Sequence, residues 1–76
     1  MNTKGKANSV DQHVGSMVRQ IRKKKGLSQE ALAEHLGITF QQIQKYENGK
    51  NRIAAGRLHT MSKVLKTPVQ RFFPKV

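Results

Sequence analysis

Few side chains in this 76-residue sequence have a type and spacing suited to covalent chemistry. His13, His35 and His59 have no ligand-like spacing, and surface or half-buried histidine is the ordinary reading of each. There is no Ser/His/Asp set, no catalytic carboxylate pair and no phosphate-binding glycine loop. Glu30 and Glu34, one helical turn apart, most simply form a solvated helix face. The chain has no cysteine, hence no thiolate metal ligand and no disulfide. No metal, no cofactor and no enzymatic activity are expected. What the sequence offers instead is charge. Fifteen Lys and Arg against four Asp and Glu give a net charge of +11. Such a surface attracts polyanions, with nucleic acid the leading candidate. Anionic lipid is the rival, but it calls for an amphipathic helix with bulky apolar residues opposite the basic face. The basic run Arg22-Lys23-Lys24-Lys25 sits at a helix end instead, where cations complement the dipole.

The elements that position these groups centre on Leu27–Gly49. Leu32, Ala33 and Leu36 mark the inner face of one helix, and Gly37 is the residue past its end. Ser28 caps its start, Leu27 and Leu32 form a staple, and Glu30 suits the positive end of its dipole. Thr39 caps the next helix. Gln42 stands where a capping box needs it, with Ile38 and Ile43 as the staple. Two capped helices around one glycine fit a helix-turn-helix or an ordinary packed helix pair, and spacing alone does not decide between them.

Around this centre the chain reads as all-α. Residues 1–12 are polar and basic and are expected to be a flexible N-terminal arm, with the domain over 13–74. Helix 1 is expected over about Asp11 to Lys25, with Val14, Val18 and Ile21 as its apolar stripe and Met17 beside it. Helix 2 covers about Gln29 to Leu36 and helix 3 about Phe40 to Glu47. A turn follows at 48–52. Helix 4 runs from about Ala55 to Leu65, with Leu58, Met61 and Leu65 facing in. Thr67 and Pro68 are the expected cap and first position of a fifth short helix, ended by Pro74. Its apolar face is Val69, Phe72 and Phe73. Phe72 and Phe73 are adjacent, so either one is exposed for a dimer contact or both cover the core edge. The core of so short a chain is thin. No apolar run approaches the roughly 20 residues that span a bilayer. The N-terminus carries no secretory signal pattern, and a cytoplasmic protein is expected.

At Arg22, Gly26-Leu27-Ser28-Gln29, Leu32-Ala33, Gly37 and Tyr46-Glu47-Asn48-Gly49, the sequence resembles the Cro/C1-type (XRE) helix-turn-helix family. The likeness spans about Val14 to Phe73. It implies a five-helix, lambda-repressor-like DNA-binding domain whose third helix enters the major groove. It also implies homodimers on palindromic double-stranded operators and, most often, repression of transcription in a bacterium or phage. With Ile43 and Tyr46 turned inward, Phe40, Gln41, Gln44 and Lys45 lie on or beside the outward face of helix 3. The resemblance makes Phe40, Gln41 and Lys45 the base readers. Gln41 suits adenine, and Lys45 suits guanine. Phe40 departs from the family's usual polar residue. It either packs on a thymine methyl or covers the helix 2–helix 3 joint. Thr39, Gln42 and Gln44 are further candidate DNA contacts, though Thr39 and Gln42 already have a capping job.

By the same resemblance, Gln29, Asn48, Lys50 and Arg52 contact the DNA backbone, with free N–H groups at the start of helix 2 adding to the Gln29 site. Arg22 and Glu47 form a structural ion pair between helices 1 and 3. The expected function is a sequence-specific DNA-binding transcriptional regulator. The alternatives are an antitoxin that also grips a toxin and autoregulates its operon, and a general basic nucleic-acid-binding protein. Against the antitoxin reading, no separate toxin-binding tail is visible.

Overall fold

A computed structural model describes residues 8–75. Among the described residues there are four α-helices: α1 (Ser9–Lys24), α2 (Gln29–Leu36), α3 (Phe40–Glu47) and α4 (Ala55–Val64). A short 3-10 helix over Val69–Phe72 closes the chain. The fifth helix of the sequence reading is therefore one tight turn. Pro68 and Pro74 leave too little chain between them for a longer helix. Thr67 does not cap it; its hydroxyl donates to the Leu65 carbonyl at 2.9 Å.

α1 starts earlier than the apolar stripe suggests. Asn8 Oδ1 accepts from the Asp11 N–H at 2.9 Å, and Asp11 Oδ2 accepts from the Asn8 N–H at 3.0 Å. This reciprocal capping box satisfies two donors and fixes the first turn in a stretch with no apolar period. Residues 9–12 thus belong to the helix rather than to an arm. The rest of the expected arm, residues 1–7, lies outside the described residues. Ser28 caps α2 through a bond from the Ala31 N–H at 3.0 Å. Thr39 caps α3 through the Gln42 N–H at 3.2 Å, but only half of the expected box forms there. The Gln42 side chain turns away and donates to Asn51 Oδ1 at 3.3 Å.

All four α-helices end in the same paired arrangement. The residue after the left-handed one donates back to the carbonyl five residues earlier, as in Leu27 to Arg22, Ile38 to Ala33, Lys50 to Lys45 and Thr67 to Ser62. This Schellman motif needs one residue in the left-handed region. Gly26, Gly37 and Gly49 fill it after the first three helices, with φ between 69° and 77°. After α4 the residue is Lys66, at φ 50°. A side chain there costs energy that glycine avoids, of order 1 kcal/mol. Lys66→Gly is therefore expected to stabilise the fold by up to about 1 kcal/mol and to raise the melting temperature by about 4–8 °C in a circular-dichroism melt. An unchanged or lower melting temperature would show that Lys66 is not strained.

The core draws on every element. Val14, Val18 and Ile21 of α1 meet Leu32 and Ala33 of α2, Ile43 and Tyr46 of α3, and Leu58, Met61 and Leu65 at α4. Phe72 completes it with no exposed surface, whereas Phe73 is 44% exposed. Of the two adjacent phenylalanines, one closes the core and the other faces out. α3 packs against both α1 and α2, so the core holds its inner face on two sides.

Candidate nucleic-acid interface

α3 is the best-anchored short element of the fold. Its buried residues are Ile43, Tyr46 and Glu47. Tyr46 meets α1 where the helix carries Gly15. A Cβ at Gly15 would lie 2.0 Å from the Tyr46 carbonyl oxygen. The two backbones thus approach to a distance that only glycine permits. The sequence reading did not single out Gly15. Its one signal was a glycine inside an otherwise regular helical stripe.

The second anchor is electrostatic. Arg22 Nε donates to Glu47 Oε2 at 2.7 Å and Arg22 Nη2 donates to Glu47 Oε1 at 3.0 Å. Arg22 Nη1 also donates to the Leu27 carbonyl at 2.8 Å. Each residue is only 6% exposed. This fork-on-fork geometry ties the end of α1 to the end of α3 and to the start of α2. Gln29 joins it, with Nε2 donating to Glu47 Oε1 at 3.1 Å. The side-chain amide of Gln29, expected at a phosphate, is thus engaged with a carboxylate and half-buried.

The outward residues sort into two groups. Gln41, Gln44 and Lys45 are exposed on α3, and Asn48 and Lys50 are exposed just past its end. Thr39 is exposed but committed as the cap. Phe40 is half-buried and packs against the core cluster. Gln42 is half-buried and bonded to Asn51. Arg52 is half-buried, with Nε on Asp11 Oδ2 at 3.1 Å. Asp11 thus serves both the α1 cap and the loop after α3, a link the sequence did not suggest.

The arrangement presents donors and acceptors on a rigid helix face and cations at its margin. Such a face suits hydrogen-bonding and electrostatic recognition. Among the described residues, no three His, Asp or Glu side chains cluster as metal ligands. Among them, too, no helix is long and apolar enough to cross a membrane.

Comparisons with known proteins agree with this geometry. The model of the Helix-turn-helix family HTH_3 matches residues 18–72. An uncharacterized HTH-type transcriptional regulator of Sinorhizobium medicae (strain WSM419) is 57% identical over 70 residues, covering 92% of this chain and 50% of the relative. The chain spans about half the length of the curated relatives it matches first. Among solved structures, the restriction-modification controller protein C.AhdI from Aeromonas hydrophila aligns with a TM-score of 0.76 and 26% identity. That match covers 82% of this chain and 94% of the other. The DNA-binding domain of BldD aligns with a TM-score of 0.76 and 25% identity, over 86% and 94%.

Proposed function

Since the chain belongs to the helix-turn-helix family, we propose that it is a sequence-specific double-stranded DNA-binding regulator of transcription that represses by occupying an operator. The observation that carries this reading is α3 itself. Its inner face is locked by the Arg22–Glu47 pair and by the Gly15 approach, while Gln41, Gln44 and Lys45 stand exposed on the other side. Base readout needs such a preorganised helix, because a displaced recognition helix loses its bonds to the base edges. Gln41 reads adenine N6 and N7, and Lys45 donates to guanine. Phe40 closes the joint and offers its remaining ring edge to a thymine methyl.

Phosphates are held by Asn48 and Lys50 and by the free N–H groups at the start of α2, beside Gln29. Arg52 contributes from its ion pair with Asp11. The protein acts as a homodimer at least on DNA, on a palindromic site, in the cytoplasm. Relatives named as transcriptional regulators support this reading. A mobility-shift titration tests it: a duplex recovered by binding-site selection is expected to bind far more tightly than its scramble at moderate salt. Equal affinity for both would sink the proposal and leave only general polyanion binding.

Individual residues separate the two kinds of contact. Gln41→Ala is expected to relax base preference at one position, at about 1–3 kcal/mol. Lys50→Ala is expected to weaken all duplexes about equally and to lower the salt slope by about one. Repeated site selection on each variant, with binding measured across a salt series, checks both. An unchanged preferred site for Gln41→Ala would mean that α3 does not read bases as assigned.

A further inference from the structure

Two shallow clefts meet along the edge of the molecule where α1 faces the C-terminal segment. One, of about 350 Å³, lies between His13 and Met17 on α1 and Phe73 to Lys75. The other, of about 230 Å³, lies between Ile21, Lys24 and Lys25 on one side and Lys66 to Pro68 on the other. Arg71 lines both and joins them. His13, Met17, Ile21 and Lys24 recur at helical spacing and share one face of α1. The chain from Lys66 to Lys75 runs antiparallel to that face. The two clefts are one groove, about 18 Å long at the rise of an α-helix. No residue of α2 or α3 lines it, so it is separate from the face assigned to DNA.

The groove combines an apolar floor with a cationic rim. Met17 is half-buried and Phe73 is 44% exposed. Arg71 and Lys75 border them in the first cleft, and Lys24, Lys25 and Lys66 join Arg71 in the second. No acid lines either cleft. Asp11 and Glu47 are held by Arg52 and Arg22, and these are the two ion pairs among the described residues. Glu30 and Glu34 lie on α2. The C-terminal ends of α1 and α4 both reach the second cleft, but each contributes only about half a negative charge. Three lysines and an arginine outweigh that.

Charge and shape select the occupant. A second copy of this chain brings the same cations and no acidic, apolar strip to match them. A nucleic acid backbone matches the charge but leaves Met17 and Phe73 without an apolar partner. An acidic amphipathic segment matches both. We propose that this groove is a docking site for an acidic amphipathic segment of a partner protein. Its apolar side chains cover Met17 and Phe73, its carboxylates meet Lys24, Lys25, Lys66 and Arg71, and α3 stays free for DNA.

The test uses the whole 76-residue chain, isotope-labelled for NMR. The probe is a synthetic peptide of about 12 residues, with leucine and glutamate at helical spacing. A scramble of the same composition is the control. The patterned peptide is expected to shift the amides of Met17, Ile21, Lys24 and Phe73 saturably, and to bind at least about fivefold more tightly than the scramble. Phe73→Ala and Arg71→Gln are each expected to weaken the peptide about fivefold or more and to leave duplex binding and the melting temperature unchanged. Equal binding of the scramble overturns the proposal, because it reports charge alone. So do peptide shifts centred on α3, displacement of the peptide by duplex DNA, or groove shifts that grow with protein concentration in the absence of peptide. The last result would assign the groove to a second copy.

Discussion

Gly15→Ala is expected to lower stability by about 3 kcal/mol, the upper end of what overpacking costs. The added methyl has no rotamer to choose. Its position is fixed by the backbone, 2.0 Å from a carbonyl oxygen that is itself part of α3. Relief requires α1 and α3 to separate, and that opens the core between Val14, Val18 and Ile43, all at most 4% exposed. Against a total stability of about 5 kcal/mol for a chain this short, such a loss removes most of the margin. A circular-dichroism melt is expected to show a fall of about 12–24 °C, and duplex binding is expected to weaken even where the variant remains folded. Gly56→Ala is the matched control. A Cβ there meets nothing within 4 Å. It lies inside α4, so it is expected to be neutral or to stabilise by up to about 1 kcal/mol. If both glycine variants melt alike, the close approach of α1 and α3 does not hold α3 in place.

Glu47→Ala is expected to cost about 3–5 kcal/mol, because it leaves the Arg22 guanidinium buried with only the Leu27 carbonyl as partner. Gln29 also loses its acceptor. Arg22→Met combined with Glu47→Leu is expected to recover most of that loss, since a buried pair replaced by apolar residues of similar volume is often neutral. Urea titrations of the single and double variants check this. A single variant that loses less than about 1 kcal/mol would show that the pair is solvated and marginal. A double variant that regains stability but not DNA affinity would locate the pair's value in the angle of α3.

The legibility of the fold follows from where its signals are local. α2 and α3 have the bounds read from the sequence because Ser28, Thr39, Gly37 and Gly49 mark their ends within one turn. The start of α1 was hidden because the Asn8–Asp11 box lies in a polar stretch without period, where composition reads as an arm. Phe72 and Phe73 were indistinguishable because adjacency alone does not say which side chain faces in. The 3-10 geometry fixed by the flanking prolines decides that. Gly15, Asp11 and the Gln29 amide were missed for a common reason. Each acts through a partner far along the chain: Tyr46, Arg52 and Glu47 respectively. Phe40 has two open roles because its chemistry permits both, an apolar ring for a thymine methyl and an apolar cover for the α2–α3 joint.

The scarcity of acids has a consequence for how this protein responds to its medium. Two of the four carboxylates are spent on ion pairs inside the fold, and the chain keeps a net charge of +11. At low ionic strength the folded state carries that self-repulsion largely unscreened, because the Debye length, about 30 Å at 0.01 M, is comparable with its extents of 35 × 27 × 19 Å. Added salt relieves it and stabilises the fold, while the same salt weakens attachment to phosphates. On the proposed function, folding and DNA binding are thus expected to answer ionic strength with opposite sign. On the same proposal, a bound duplex is the polyanion that offsets this self-repulsion where salt is low.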